Sequence, residues 1–174
     1  YLGGFIMGVR TYPATPRVYF DMDGPLADFE KGANDRGISM EVMKLIAGTY
    51  ANLPVTEGAK AAVKAIIEMG FEPWVMTKIP RENPYAATEK LLWLQREFPE
   101  FGEHVHITPD KGDPGKEIDI LIDDHPEWAN ANNFKGSILT FKFDWDATVK
   151  QVMEIAKSLT LAPKSAQTIE GAKP

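Results

Sequence analysis

From residue 17 onward, short apolar runs bounded by turn residues alternate with segments of helical periodicity. Arg17–Phe20 (RVYF) is rich in β-formers and ends against Asp21. Phe71–Thr77 (FEPWVMT), His104–Thr108 (HVHIT), Ile118–Asp123 (IDILID) and Ser137–Phe143 (SILTFKF) repeat the pattern. Such runs suit strands buried on both faces of a parallel sheet, although periodicity alone does not separate them from core helix. The segments between them do read as helices. TEGAKAAVKAIIEMG places apolar residues at helical spacing between an N-cap at Thr56 and a stop at Gly70. NPYAATEKLLWLQREF opens with Asn83 at the cap and Pro84 at the first helical position. WDATVKQVMEIAKSL is a third amphipathic segment. Strand–helix–strand alternation predicts an α/β, three-layer Rossmann-like fold with a mostly parallel five-stranded sheet.

One segment breaks the alternation. Residues of about 28–56 carry two helical patterns and no convincing strand, and read as a small helical cap inserted after strand 1. The remaining divisions are an N-terminal extension (1–16), the main domain (17–160) and a mobile tail (161–174) of small and polar residues without periodicity. Met7 is a candidate natural start, and the N-terminus lacks the basic region that opens a signal peptide.

Composition then narrows the function classes. A chain of 174 residues with 44% hydrophobic content is long enough to bury one core. A net charge of −6 and a pI near 5.1 argue against a nucleic-acid polymer or an anionic membrane as partner. With no cysteine, disulfides, thiolate metal sites and thiol nucleophiles are excluded, and a cytoplasmic location is expected. No run approaches the roughly 18 apolar residues that span a bilayer.

The chemistry lies at the strand ends. In an open parallel sheet, ligands bind beyond the carboxyl ends of the strands. The first strand ends in Asp21 and Asp23, the second in Thr77, and the fourth in Asp123 and Asp124. Two unit charges about 4 Å apart repel by roughly 4 kcal/mol at an effective dielectric of about 20. Such a cluster calls for a cation, and an all-oxygen set favours Mg²⁺. Either acidic pair alone also reads as a turn or helix cap. Two pairs that both close hydrophobic strands, with Thr77 between them, favour a site.

DMDGPLADFE, the Thr closing WVMT, a downstream Lys and ILIDDHP together resemble the four motifs of the haloacid-dehalogenase-like phosphatases. Within them, DMDGPLADFE, NPYAATEKLLWL, TPDK and ILIDDHP are similar to the 5'(3')-deoxyribonucleotidases, over about Val18 to Pro126. The resemblance implies a phosphomonoesterase acting on deoxynucleoside monophosphates through an aspartyl-phosphate. Asp21 would be the nucleophile, and Asp23 the general acid and then base. Mg²⁺ would be held by Asp21, the backbone carbonyl of Asp23 and Asp124, with Asp123 orienting its neighbours.

Thr77, Lys111, Arg81, Lys78 and Gly24 would surround the phosphate, and Phe29 would pack on the base. Lys111 of TPDK is favoured as the motif lysine over Lys116, whose spacing to the Asp pair is shorter. Trp74, Trp93 and Trp128 read as core or helix-packing residues, and His104, His106 and His125 lack metal-ligand spacing. Three departures stand out: Pro25 replaces a β-branched residue, Lys78 replaces a small polar one, and the insertion is shorter than in the animal enzymes. Phosphatases of other small metabolites and a catalytically weak binding protein are the alternatives. The paired aspartates favour the enzyme.

Overall fold

The computed structural model describes residues 15–159. The expectations for the extension before residue 15 and for the tail after residue 159 lie outside that range.

Five strands form one sheet: β1 (Arg17–Phe20), β2 (Glu72–Thr77), β3 (Val105–Ile107), β4 (Ile120–Asp123) and β5 (Ser137–Thr140). Their order is β3-β2-β1-β4-β5, and every neighbouring pair is parallel. The fold is therefore α/β and Rossmann-like, with the sheet the sequence predicts. Phe20 pairs with Val75 on one side and Ile122 on the other, so β1, β2 and β4 finish at neighbouring points on the same edge. The chain's path reverses beside β1, which opens a crevice at the strand ends. β4 begins later than the apolar run suggests because Asp119 is used otherwise. Its buried carboxylate accepts the backbone N–H groups of Arg17 (2.9 Å) and Lys116 (2.9 Å).

Strand alternation divides the core in two. Val18, Phe20, Ile120 and Ile122 face the larger part, where they meet the buried residues of α1 (Phe29–Arg36), α3 (Ala59–Glu68), α4 (Ala86–Glu97) and α5 (Trp145–Ser158). Tyr19, Met76 and Leu121 face the other way and form a smaller cluster with Ala131 and Phe134, flanked by the half-buried Trp74 and Ile138 and beside a 3₁₀ turn at Ala131–Asn133. The layers are unequal: helices cover one face, and loops with a single turn of 3₁₀ helix cover the other.

Residues 28–56 form α1, the short helix α2 (Met40–Met43) and a 3₁₀ turn at Tyr50–Asn52. Asp28 caps α1 by accepting the Lys31 N–H at 2.8 Å, and Gly37 closes it at φ 64°. Two expected caps are corrected. α3 starts at Ala59, after Gly58, because the Thr56 hydroxyl instead donates to the Gly24 carbonyl at 2.6 Å. α4 starts at Ala86, because the Asn83 amide instead donates to the Lys44 and Ile46 carbonyls, tying the insertion to the main domain. Both side chains serve long-range contacts that outcompete local capping.

Candidate active site

At the end of β1 the chain turns sharply: the Leu26 and Ala27 N–H groups both donate to the Met22 carbonyl, at 3.2 and 2.8 Å. Gly24 holds φ 106° in this turn. A Cβ there would lie 2.5 Å from Asp124 Oδ2, so only glycine lets the β4 acid approach the β1 turn this closely. The Pro25 carbonyl accepts the Trp145 indole N–H at 3.1 Å.

Oxygens of Asp21, Asp123 and Asp124 lie within 4.8 Å of one another. Lys111 Nζ reaches into this group, 2.6 Å from Asp123 Oδ2 and 3.0 Å from Asp21 Oδ1, and is almost wholly buried. Lys116 is exposed and lies outside the cavity. Both Asp123 oxygens are engaged, Oδ2 by Lys111 and Oδ1 by the His125 N–H at 2.8 Å. Among the described residues, Asp124 meets no side-chain donor closer than the His125 imidazole at 3.9 Å, so its oxygens are the freer pair for a cation.

Burial pushes the Asp21 carboxyl up to about 7; Lys111 pulls against the rise, while Asp123 and Asp23 add to it. Burial and then the Asp123 charge push Asp124 up to about 6. For Lys111, burial disfavours the charge, but Asp21 and Asp123 outweigh it and hold the ammonium above its ordinary value. One cation among three acids leaves excess negative charge. The all-oxygen set fits a hard divalent cation such as Mg²⁺, which Asp21 and Asp124 could hold through their carboxylates.

The structure also brings in a residue that the strand-end reading missed. Lys90, from the middle of α4, is fully buried. Its Nζ donates to Asp23 Oδ2 (2.8 Å), Thr77 Oγ1 (2.7 Å) and the Lys78 carbonyl (2.9 Å), which uses all three ammonium N–H groups. It also lies 4.8 Å from the centre of the Tyr50 ring. Burial, with the Asp23 and Glu89 charges, pushes the Tyr50 phenol far up, so it stays neutral. Asp23 Oδ1, by contrast, is buried with no partner among the described residues. The signal for Lys90 was available: it shares a helical face with Ala86, Trp93 and Leu94, an apolar stripe on which lysine is out of place.

The remaining candidates divide. Asp21, Asp23, Gly24, Phe29, Thr77, Lys78, Lys111, Asp123 and Asp124 all line one cavity of about 430 Å³. Arg81 does not: it is exposed in the turn after β2 and is absent from the lining. Phe29 is mostly buried and packs on Tyr50 with ring centres 5.5 Å apart, so it serves core and cavity wall together. Trp93 is core, and Trp74 is half-buried between Arg17 and the stacked His104 and His106 rings. Trp128 corrects the expectation of a core residue. It is 58% exposed and lines the cavity, because the loop after β4 turns it outward.

No family model matches the chain. An 86-residue stretch is 29% identical to a protein of Vibrio phage KVP40 named "Putative 5'(3')-deoxyribonucleotidase", covering 47% of this chain and 50% of that protein. The chain thus spans about half the length of that relative. A crystal structure of a HAD family hydrolase from Deinococcus radiodurans R1, with bound phosphate and sodium, aligns with a TM-score of 0.47 and 14% identity. That alignment covers 86% of this chain and 98% of the other. The order of the motifs along the chain resembles that of the haloacid-dehalogenase-like phosphatases.

Proposed function

We propose that the protein is a Mg²⁺-dependent phosphomonoesterase that hydrolyses deoxynucleoside monophosphates through an aspartyl-phosphate. The observation that carries this reading is the placement of Asp21 at the end of β1, 3.0 Å from a buried lysine and beside Asp123 and Asp124. Asp21 Oδ attacks phosphorus as the bond to the ester oxygen breaks. Asp23 gives its proton to the leaving oxygen, then takes one from the water that opens the aspartyl-phosphate. The unpartnered Asp23 Oδ1 is the atom available for that proton, while Lys90 holds the other oxygen. Lys111 offsets phosphate charge near Asp21, and the Thr77 hydroxyl keeps its proton for a phosphate oxygen, since its only acceptor among the described residues is the Lys78 carbonyl at 3.4 Å. Bound Mg²⁺ would supply the positive charge that lets a dianionic phosphate approach a carboxylate.

The deoxynucleotide part of the reading draws on the similarity to the phage protein and on the aromatic lining of the cavity. The test is phosphate release from deoxynucleotides, ribonucleotides and sugar phosphates, with and without Mg²⁺, beside Asp21→Asn. Turnover that needs Mg²⁺ and vanishes in Asp21→Asn is expected. Activity surviving in that variant would refute the covalent route. Equal turnover of sugar phosphates and nucleotides would remove the nucleotide preference and leave the phosphatase.

A further inference from the structure

Among the described residues, three that are not glycine hold a positive φ: Ala129 (49°), Asn130 (58°) and Phe143 (54°). The left-handed region is unfavourable for side-chain-bearing residues and persists only where the surroundings over-determine it. Two of the three positions lie in the lining of the active-site cavity and the third is adjacent. Ala129 and Phe143 line it, and Asn130 follows Ala129 directly. The side chains presented there are unusual for a surface. Trp128 and Phe143 are each 58% exposed, yet both face the cavity that holds Asp21 and Asp124.

The backbone bearing Trp128 is fixed to the backbone bearing Lys111. The Lys111 N–H donates to the Ala129 carbonyl at 2.7 Å, and the Asn130 amide donates to Asp110 Oδ1 at 2.8 Å. A Cβ at Gly112 would lie 2.7 Å from the Asn130 carbonyl, so the two loops touch with no room for a side chain. One face of the indole is covered by the His125 ring, stacked at 3.9 Å with 13° between the planes. His125 in turn follows Asp124. The aromatic stack therefore sits one residue from both the phosphate lysine's backbone contact and the metal-ligand carboxylate.

We propose that Trp128, in a cavity that Phe143 also lines, is the seat for the planar ring of the leaving group: the base of a nucleoside monophosphate whose phosphate lies at Asp21. The strain in both segments then has a use, which is to hold two large rings open to the cavity. Phe29 is the weaker seat, because it is 6% exposed and already packed on Tyr50. The inference rests on the phosphatase reading for which end of the ester meets Asp21.

The test compares kcat/KM for a deoxynucleoside monophosphate with that for ribose 5-phosphate, in the native protein, Trp128→Ala and Trp128→Phe. A stacked base makes the nucleotide-to-sugar-phosphate ratio fall about tenfold in Trp128→Ala, through KM, and largely recover in Trp128→Phe. A ratio unchanged in Trp128→Ala, or equal losses on both esters, would overturn the seat while leaving the phosphatase intact. If no ester is turned over, the phosphatase reading fails, and binding measured by calorimetry decides the seat separately. Nucleotide binding that weakens about tenfold in Trp128→Ala, with ribose 5-phosphate binding weaker in the native protein, supports it. The absence of nucleotide binding, or affinity indifferent to Trp128, overturns it.

Discussion

A buried lysine is the most consequential side chain outside the strand-end motifs. Lys90 gives up its hydration and receives three oxygens in return, of which the Asp23 carboxylate carries the compensating charge. Replacing it with Met keeps the stem packed but leaves Asp23 Oδ2 and Thr77 Oγ1 without their donor. Because the Asp23 side chain is 32% exposed, the expected loss lies below that of a fully buried pair, about 2 kcal/mol in urea unfolding. Under the proposed mechanism kcat falls more than KM rises, since Asp23 loses its anchor. A stability loss under about 0.5 kcal/mol would show the pair to be worth no more than an exposed one.

The acids make a second prediction at this scale. A carboxyl raised on folding stabilises the fold below its unfolded pKa, near 4, and that advantage disappears as pH climbs through the folded value. For Asp21 and Asp124 the loss falls between about pH 4 and 7. Metal-free protein should therefore gain more in Tm from added Mg²⁺ at pH 8 than at pH 5.5, where protons compete for the same oxygens. A Mg²⁺ shift no larger at pH 8 would exclude these acids as the ligands.

At the level of elements, α4 joins the sheet edge to the insertion. Its buried face carries Lys90 toward the site and Glu89 toward residues 48–50. Glu89 accepts the Gly48 N–H at 2.6 Å and the Tyr50 N–H at 3.0 Å, and Trp93 donates its indole N–H to the Leu53 carbonyl at 2.8 Å. Glu89→Ala would leave the buried Tyr50 N–H unpaired, at a cost of about 1–3 kcal/mol. Local opening should show first: amide exchange at Gly48 and Tyr50 accelerates, while exchange along β1 changes only by the global loss. Uniform acceleration across the chain would contradict a local clamp. The helix itself was legible from NPYAATEKLLWLQREF. Its start was misplaced because Asn83 looks like a cap in sequence and is claimed in space by carbonyls 37 and 39 residues away.

For the whole molecule, the two faces of the sheet differ in how much covers them. The helical face has redundant packing, whereas the other relies on Ala131 and Phe134 over Tyr19, Met76 and Leu121. Phe134 packs edge-on to Tyr19 at 5.7 Å and fills the space a Cβ at Gly115 would need. Phe134→Ala should cost about 3 kcal/mol in urea unfolding, because little can collapse into the void. A cost near 1 kcal/mol would mean that the loops relax inward. Among the described residues, no helix is long and apolar enough to cross a membrane.

The parallel sheet, the strand ends and the acidic pairs could be read from local pattern: buried strands demand contiguous apolar residues, and carboxylates that end them must meet a cation or water. Gly24 entered through the family resemblance, and the structure adds why glycine is needed there: a Cβ would meet Asp124. Which lysine entered the site could not be settled locally. Lys111 and Lys116 differ by five positions on one loop, and only the packing of residues 110–112 against Asn130 selects Lys111. Lys90 reaches Asp23 across 67 residues of sequence, and Arg81 sits beside the motif yet turns away from it. Trp128 shows the same limit in reverse, since apolar character predicts burial while a strained loop, stitched to its neighbour, holds the ring in the open. Sequence thus determined the scaffold and the chemical groups on its edge, because those follow from short-range periodicity. Tertiary structure decided which charges pair and which rings face the cavity, because those depend on contacts between segments that sequence distance does not reveal.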